Sequence, residues 1–281
     1  MNPPLAKRLE DALGSAVQSA VAVGGGNIAI TQRVDLADRR SVFVKTGGNG
    51  FLQEANGLRE LTRAKAIRIP EVLHAEADLL VLEHISTSLA PAHFMADFGR
   101  GFAELHQVTG STFGFVEDNF IGATPQHNVV TGDSAENWPT FYWTHRLEPQ
   151  TRLAVDAGFD FMADMNALAT RLPELLAGSE EPPRLLHGDL WSGNFLCDEQ
   201  GAPVLIDPAV YYGHREADLG MTYLFGGFSA AFYRAYEEVS PLSAGSAERL
   251  PLYMLYHVLN HVNLFGGSYA GQARRIMRSY L

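Results

Sequence analysis

Asp189 and Asn194 stand five residues apart in "LLHGDLWSGNFL", and Asp207 closes the apolar run "APVLIDP" a little further on. Two carboxylates and one amide make a set of hard oxygen donors. Such donors suit magnesium, which is held by one or two carboxylates together with substrate phosphates. A carboxylate left over can orient a hydroxyl nucleophile. Phosphoryl transfer asks for little more: a positioned acceptor, metal at the phosphates and a cation beside them. The polar groups of this stretch are flanked by residues of buried type, where an unpaired polar group costs several kcal/mol. They need partners or a chemical role.

A cation is at hand. Lys45 ends the strand-like "SVFVK", and Glu54 follows nine residues later in "NGFLQEANGLRELTRA". Phe51, Ala55, Leu58 and Leu61 recur there at helical spacing. Glu54 shares a helix face with Leu58 and Leu61, and a carboxylate on an apolar face needs a counter-charge. Lys45 supplies it and leaves its ammonium aimed at phosphates. A strand Lys, a helix Glu, then H-x-D-x-x-x-x-N, then an Asp at a strand end is the order found in kinases. Each piece alone has a plainer role. Lys45 is then an edge-strand solubility residue, Glu54 a solvated helix residue, and Asp207 a turn former before Pro208. His187 is a hydrogen-bonded core histidine bracing the loop. The ordered set carries the chemical reading. Gly24, Gly25, Gly26 and Asn27, in "VGGGNIAI", lie between two strands, where backbone N–H groups can cradle anions. This loop matches neither common phosphate-loop pattern, and read alone it is a hairpin turn.

The elements that must position these groups fall into two parts. "SAVAVGG", "NIAITQRVDL", "RSVFVKTG" and "LLVLEHI" are β-rich and surround the Glu54 helix. Beyond residue 85 helical faces dominate, as with Phe94, Phe98, Phe102 and Leu105, or Leu252, Leu255, Leu259 and Val262. Between them lie three short strand-like pieces, "RLLHGD", "NFLCD" and "APVLIDP". The segment from Gly110 to Trp138 is expected to be a long ordered loop. The expected fold is α+β, with a β-rich N-terminal lobe over residues 1–85 and a mostly helical C-terminal lobe over 86–281. A cleft between lobes is a common ligand site.

Bulk properties narrow the partners. The chain has 281 residues, 46% apolar, with a formal net charge of -11. An acidic surface repels nucleic-acid backbones, so no nucleic-acid partner is expected, and the acidity suits a cationic acceptor. Cys197 is the single cysteine, which excludes an internal disulfide and fits a reducing, cytoplasmic compartment. It is expected as a small core residue. No stretch has the length and apolarity of a membrane span, and a monomer is expected.

"HGDLWSGNF", together with "LIDPAVYYGHREADLGMTYLFGGF", resembles the fructosamine kinase (ketosamine 3-kinase) family, relatives of the aminoglycoside and choline phosphotransferases. "FYWTHRLEPQ" and "YHVLNHVNLFGGSY" extend the similarity over nearly the whole chain. The resemblance implies a protein-kinase-like fold that uses ATP and magnesium. It makes Asp189 the catalytic base, Asn194 and Asp207 the metal ligands, and Lys45 with Glu54 the phosphate clamp. Adenine would meet backbone groups from Glu83, His84 and Ile85. Asp218, in "READLG", would be a structural acid bracing the catalytic loop, with His187 as scaffold. The implied reaction moves the γ-phosphate of ATP to the 3-hydroxyl of a ketosamine, free or protein-bound. The phosphate makes the adduct labile and frees the amine.

Trp191 is read two ways: as a packing anchor, or as an acceptor wall that covers a sugar face and draws a protonated amine by cation–π attraction. Tyr211, Tyr212, His214 and Phe228 either line the acceptor pocket or fill space behind it. A kinase of another hydroxylated amine, aminoglycoside- or choline-like, is the nearest alternative. A non-catalytic nucleotide-binding protein is the third. A protein-Ser/Thr kinase is disfavoured, because the metal-site triplet reads D-P-A and no A-P-E segment follows.

Overall fold

The computed structural model of the chain describes residues 3–24 and 29–281. Its N-terminal part is helix α1 (Pro3–Leu13), strands β1 (Val17–Ala22), β2 (Ile30–Leu36) and β3 (Ser41–Thr46), helix α2 (Phe51–Ala64), and strands β4 (Val72–Glu76) and β5 (Leu79–Glu83). The five strands form one antiparallel sheet in the order β1-β2-β3-β5-β4. Sequence patterning found the Glu54 helix and four of these strands. It missed α1, which covers the sheet through the fully buried Leu9, and β4.

Strand β5 shows why "LLVLE" carries no polar alternation. Leu79 and Val81 join the cluster under α1 with Leu9, Val34 and Val44. Leu80 and Leu82 join the opposite cluster with Phe51, Ala55 and Leu58 of α2. Successive side chains of a strand point to opposite faces, so a strand covered on both faces is apolar throughout. Lys45 pairs with Leu80 across the β3–β5 ladder, which places its side chain on the α2 face.

The remainder runs α3 (Phe94–Leu105), the short hairpin β6 (Asn119–Ile121) and β7 (Thr124–Gln126), α4 (Trp138–Tyr142), α5 (Glu148–Asp156) and α6 (Met162–Leu175). Then come β8 (Arg184–Leu186), β9 (Phe195–Cys197), β10 (Pro203–Leu205), β11 (Tyr211–Gly213), α7 (Arg215–Leu224), α8 (Ala230–Val239), α9 (Ser246–Phe265) and α10 (Ala270–Arg278). Strand β9 pairs with β10 and β8 with β11, both antiparallel. Leu186 pairs with Tyr211 and Phe195 with Leu205, so the two ladders bring the loop of residues 187–194 and the Asp207 turn together at the same end. Phe98, Phe102, Leu185, Leu205 and Phe232 pack beneath them. A larger cluster on α9, with Leu252, Leu255, Leu259 and Val262, supports the other side. The stretch from Gly110 to Trp138, expected as a loop, contains the β6–β7 hairpin. Its strands have three residues each and lack apolar alternation, so periodicity could not reveal them.

Candidate active site

A cleft of about 900 Å³ opens between the sheet and the helical part. Lys45, Glu54, Asp189, Asn194 and Asp207 all line it. Lys45 is buried, and its Nζ donates to Glu54 Oε1 at 2.7 Å and also to Asp207 Oδ1. Burial works against the ammonium charge, but Glu54 and Asp207 together outweigh it and raise the lysine's pKa. Burial pushes the Glu54 carboxyl above its usual range, against the pull of Lys45.

The residues of the loop that carries Asp189 hold one another. Buried His187 donates from Nε2 to the Ile206 carbonyl at 3.0 Å, and its Nδ1 accepts from the Asp189 N–H at 3.3 Å. This pairing selects one neutral tautomer, and burial lowers the imidazole pKa. Asp218 accepts the N–H groups of His187 at 2.6 Å and Gly188 at 2.7 Å, and His106 Nε2 lies 3.2 Å from it. Asp218 is therefore a buried brace of the loop backbone, and His106 is a partner that the sequence did not signal. Gly188 has φ +83°, and a Cβ there would stand 2.0 Å from the Ala209 carbonyl. Only glycine fits the "HGD" turn.

Asn194 Nδ2 donates to the Asp189 carbonyl at 2.8 Å, Asp189 Oδ2 at 3.2 Å and the Asp207 carbonyl at 3.3 Å. Among the described residues its Oδ1 takes no hydrogen bond, so that oxygen is left for a ligand. The Asp189 carboxyl is held well above its ordinary range, first by burial and then by the charge of Asp207, with the Asn194 amide opposing. Glu54 and Asp207 thus share one lysine, while the Asp189 carboxyl is held by the Asn194 amide. A site with three carboxylates, one ammonium and a spare amide oxygen fits a divalent cation carried in with phosphates. Among the described residues no cluster of three or more His, Cys, Asp or Glu side chains offers a self-sufficient metal cage. Magnesium, which takes few protein ligands, does not need one.

The two ends of the cleft differ. Glu83, His84 and Ile85 line one end with Phe43, Leu82 and Leu196. Gly24 lies at its edge; Gly25, Gly26 and Asn27 lie outside the described residues. Trp191 lies at the other end, 38% exposed, its ring edge-on to Phe225 with centroids 6.2 Å apart. Its indole covers Gly193, where a Cβ would approach it to 2.4 Å. The indole faces the cleft and not the core, which disfavours the packing-anchor reading. Asn260, His261, Phe265 and Tyr269 complete this wall from α9 and the turn after it. In the sequence their segment is marked only by its resemblance to the family.

Two expected acceptor residues lie elsewhere. His214 is buried, with Nε2 2.6 Å from the Ser179 carbonyl, and its Nδ1 caps α7 by accepting from the Glu216 N–H at 3.2 Å. Tyr212 points the other way from β11, packs over Gly110 and donates to Glu60 Oε1 at 2.7 Å. The β8–β11 ladder turns both side chains away from the cleft. Tyr211 is buried under Arg146, and Phe228 packs on Phe195 and Phe98. Cys197 is half-buried at the end of β9.

A model of the fructosamine kinase family matches residues 1–281. The chloroplastic protein-ribulosamine 3-kinase of Arabidopsis thaliana is 40% identical over 273 residues, covering 92% of this chain and 81% of that protein. A crystal structure of a proposed fructosamine-3-kinase from Thermobifida fusca superposes with a TM-score of 0.89 at 33% identity, covering 98% of each chain. A choline kinase from Streptococcus pneumoniae, 16% identical and covering 99% of this chain and 97% of its own, matches with a TM-score of 0.65 and shares the fold alone. The fold is protein-kinase-like, and the chain belongs to the fructosamine kinase family, a family of phosphotransferases.

Proposed function

We propose that this protein is an ATP-dependent ketosamine 3-kinase. The observation that carries the reading is the convergence of Lys45, Glu54, Asp189, Asn194 and Asp207 on one cleft whose far wall is aromatic. The names of its relatives supply the substrate class. Adenine lies against Glu83 to Ile85, and Lys45, held by Glu54, contacts the phosphates. Asn194 Oδ1 and the Asp207 carboxylate would hold magnesium, which when bound would offset the charge of the phosphates.

Asp189 orients the acceptor hydroxyl. As the hydroxyl oxygen bonds to the γ-phosphorus, the bond to the β–γ bridging oxygen breaks and ADP leaves. The acceptor proton passes to the Asp189 carboxylate. His187 and Asp218 keep the loop backbone fixed while this happens. Trp191 covers the sugar, and a C1-linked amine near its face gains cation–π attraction. Phosphorylation at the 3-hydroxyl then labilises the adduct and frees the amine, a deglycation role.

Incubation with ATP, magnesium and ribulosyl-lysine, followed by phosphorus NMR and mass spectrometry, tests the regiochemistry. The expected product is the 3-phosphate, decaying to free lysine. A stable phosphate on another hydroxyl would refute the deglycation role.

A further inference from the structure

Asp207 has φ +53°. A non-glycine residue in the left-handed region persists only where its surroundings hold it there. On its N-terminal side the restraint is the catalytic loop: the Ile206 N–H donates to the Asn194 carbonyl at 3.1 Å, and His187 Nε2 lies 3.0 Å from the Ile206 carbonyl. On its C-terminal side the Ala209 N–H donates to the His187 carbonyl at 2.9 Å.

Beyond these, and beyond the contacts of Asp207 with Lys45 and Asn194, the β6–β7 hairpin holds the segment that follows. Gln126 Nε2 donates to the Ala209 carbonyl at 3.0 Å, and Asn119 Nδ2 donates to the Val210 carbonyl at 2.8 Å. Both amides are buried. Their other ends are also engaged. Tyr256 donates to Gln126 Oε1 at 2.8 Å, while Asn119 Oδ1 accepts from Gln126 at 2.9 Å and from Asn128 at 2.8 Å.

The network is rooted on Arg146. Its guanidinium is fully buried and has no carboxylate partner among the described residues. It lies 3.9 Å from the Tyr211 ring centroid and donates to Asn128 Oδ1 and the His127 carbonyl, each at 2.7 Å. It sits in a π-helical turn, Trp143–Leu147, an irregularity that recurs at functional positions. A buried cation held only by amides, carbonyls and the rings of Phe141, Tyr211 and Tyr256 is costly to desolvate, and apolar packing would fill the space without it. The same hairpin also reaches the sheet part: Phe120 closes on Gly50, where a Cβ would meet its ring at 2.5 Å, just before the helix that carries Glu54.

Resting on the reading of Asp207 as a metal ligand, we propose that the β6–β7 hairpin, anchored by Arg146, positions the Asp207 loop for the metal–nucleotide complex. Asn119 and Gln126 are positioning residues that act through the backbone carbonyls of Ala209 and Val210. Each ties down one carbonyl of the segment that follows Asp207.

Calorimetry on the full chain tests this. ATP affinity is measured with excess magnesium and again in chelator, for wild type, Asn119→Leu, Gln126→Leu and Arg146→Met. One lost buried hydrogen bond predicts that the magnesium-dependent gain in ATP affinity falls about 3- to 10-fold in each. The affinity in chelator stays within about 2-fold. A gain kept at the wild-type level in the folded Asn119 and Gln126 variants overturns the proposal. So does a parallel fall of both affinities, since that is general destabilisation. Arg146→Met carries the largest risk of misfolding, and the two amide variants decide without it. If wild type itself shows no magnesium-dependent gain, the metal-site reading fails, and this inference with it.

Discussion

The two ends of the cleft are built by different means. The nucleotide end is made of short sequence blocks: a strand with Lys45, a helix with Glu54, and one loop that holds both Asp189 and Asn194. The acceptor end is assembled from Trp191, the end of α7, the last turns of α9 and the segment after it. The first is polar and braced by ion pairs and backbone bonds. The second is aromatic and in part exposed, as Phe265 at 56% and Trp191 at 38% show. The contrast separates chemistry that tolerates little displacement from recognition that relies on area and shape.

Removing the acceptor-facing carboxylate should separate the two ends most strongly. Asp189→Asn is expected to lower kcat by about 100-fold or more, the scale of losing a general base. ATP affinity should change little, as read by calorimetry. Near-normal turnover would remove Asp189 from the chemistry. Lys45→Met should act on the nucleotide instead. Losing a charge-assisted contact to phosphate predicts a loss in ATP affinity of about 10-fold or more, with the acceptor KM nearly unchanged. A variant that keeps its ATP affinity would leave Lys45 as a structural ion-pair partner only.

Trp191→Leu tests the aromatic end. A cation–π contact of about 0.5–2 kcal/mol predicts a rise of roughly 2- to 30-fold in the acceptor KM, without a matching rise for ATP. Early melting with a normal acceptor KM would return Trp191 to a packing role.

The smallest effect concerns helix α9 under the acceptor wall. His257 is buried, and burial lowers its pKa to about 3 from an ordinary 6.5. The unfolded chain therefore binds a proton that the folded chain refuses. Neutral His257 costs nothing above pH 6.5, and stability is lost as pH falls from 6.5 toward 3. Between pH 7 and pH 5.5 this one group predicts a loss of about 1 kcal/mol, which His257→Gln should abolish. Denaturant melts of both proteins at the two pH values check it. Equal losses in the two would show that His257 is not responsible.

The same contrast explains what the sequence could show. Lys45, Glu54, Asp189, Asn194 and Asp207 were legible because each is tied to a local pattern: a strand end, a helix face, a loop of fixed spacing. The two-part α+β architecture followed from periodicity of the strands and helices. The acceptor wall was not legible in the same way. Tyr212 and His214 are close in sequence to Asp207, yet the β11 pairing turns them toward Glu60 and Ser179. Asn260 and His261 are distant in sequence and reach the cleft only through the packing of α9. The β6–β7 hairpin carried no apolar alternation, because its side chains serve as amide donors to a neighbouring backbone and not as core. Helix α1 does carry a helical signal, Leu5, Leu9 and Leu13 at four-residue spacing, all packed in one cluster against the sheet.

The most direct test of the central claim is steady-state ADP release with magnesium and ATP across ribulosyl-lysine, fructosyl-lysine, an aminoglycoside and choline, run on wild type and Asp189→Asn. The account predicts turnover of the ketosamines in wild type, falling by about 100-fold or more in the variant, and little turnover of the other two. Turnover of the aminoglycoside or choline with none of either ketosamine would contradict it.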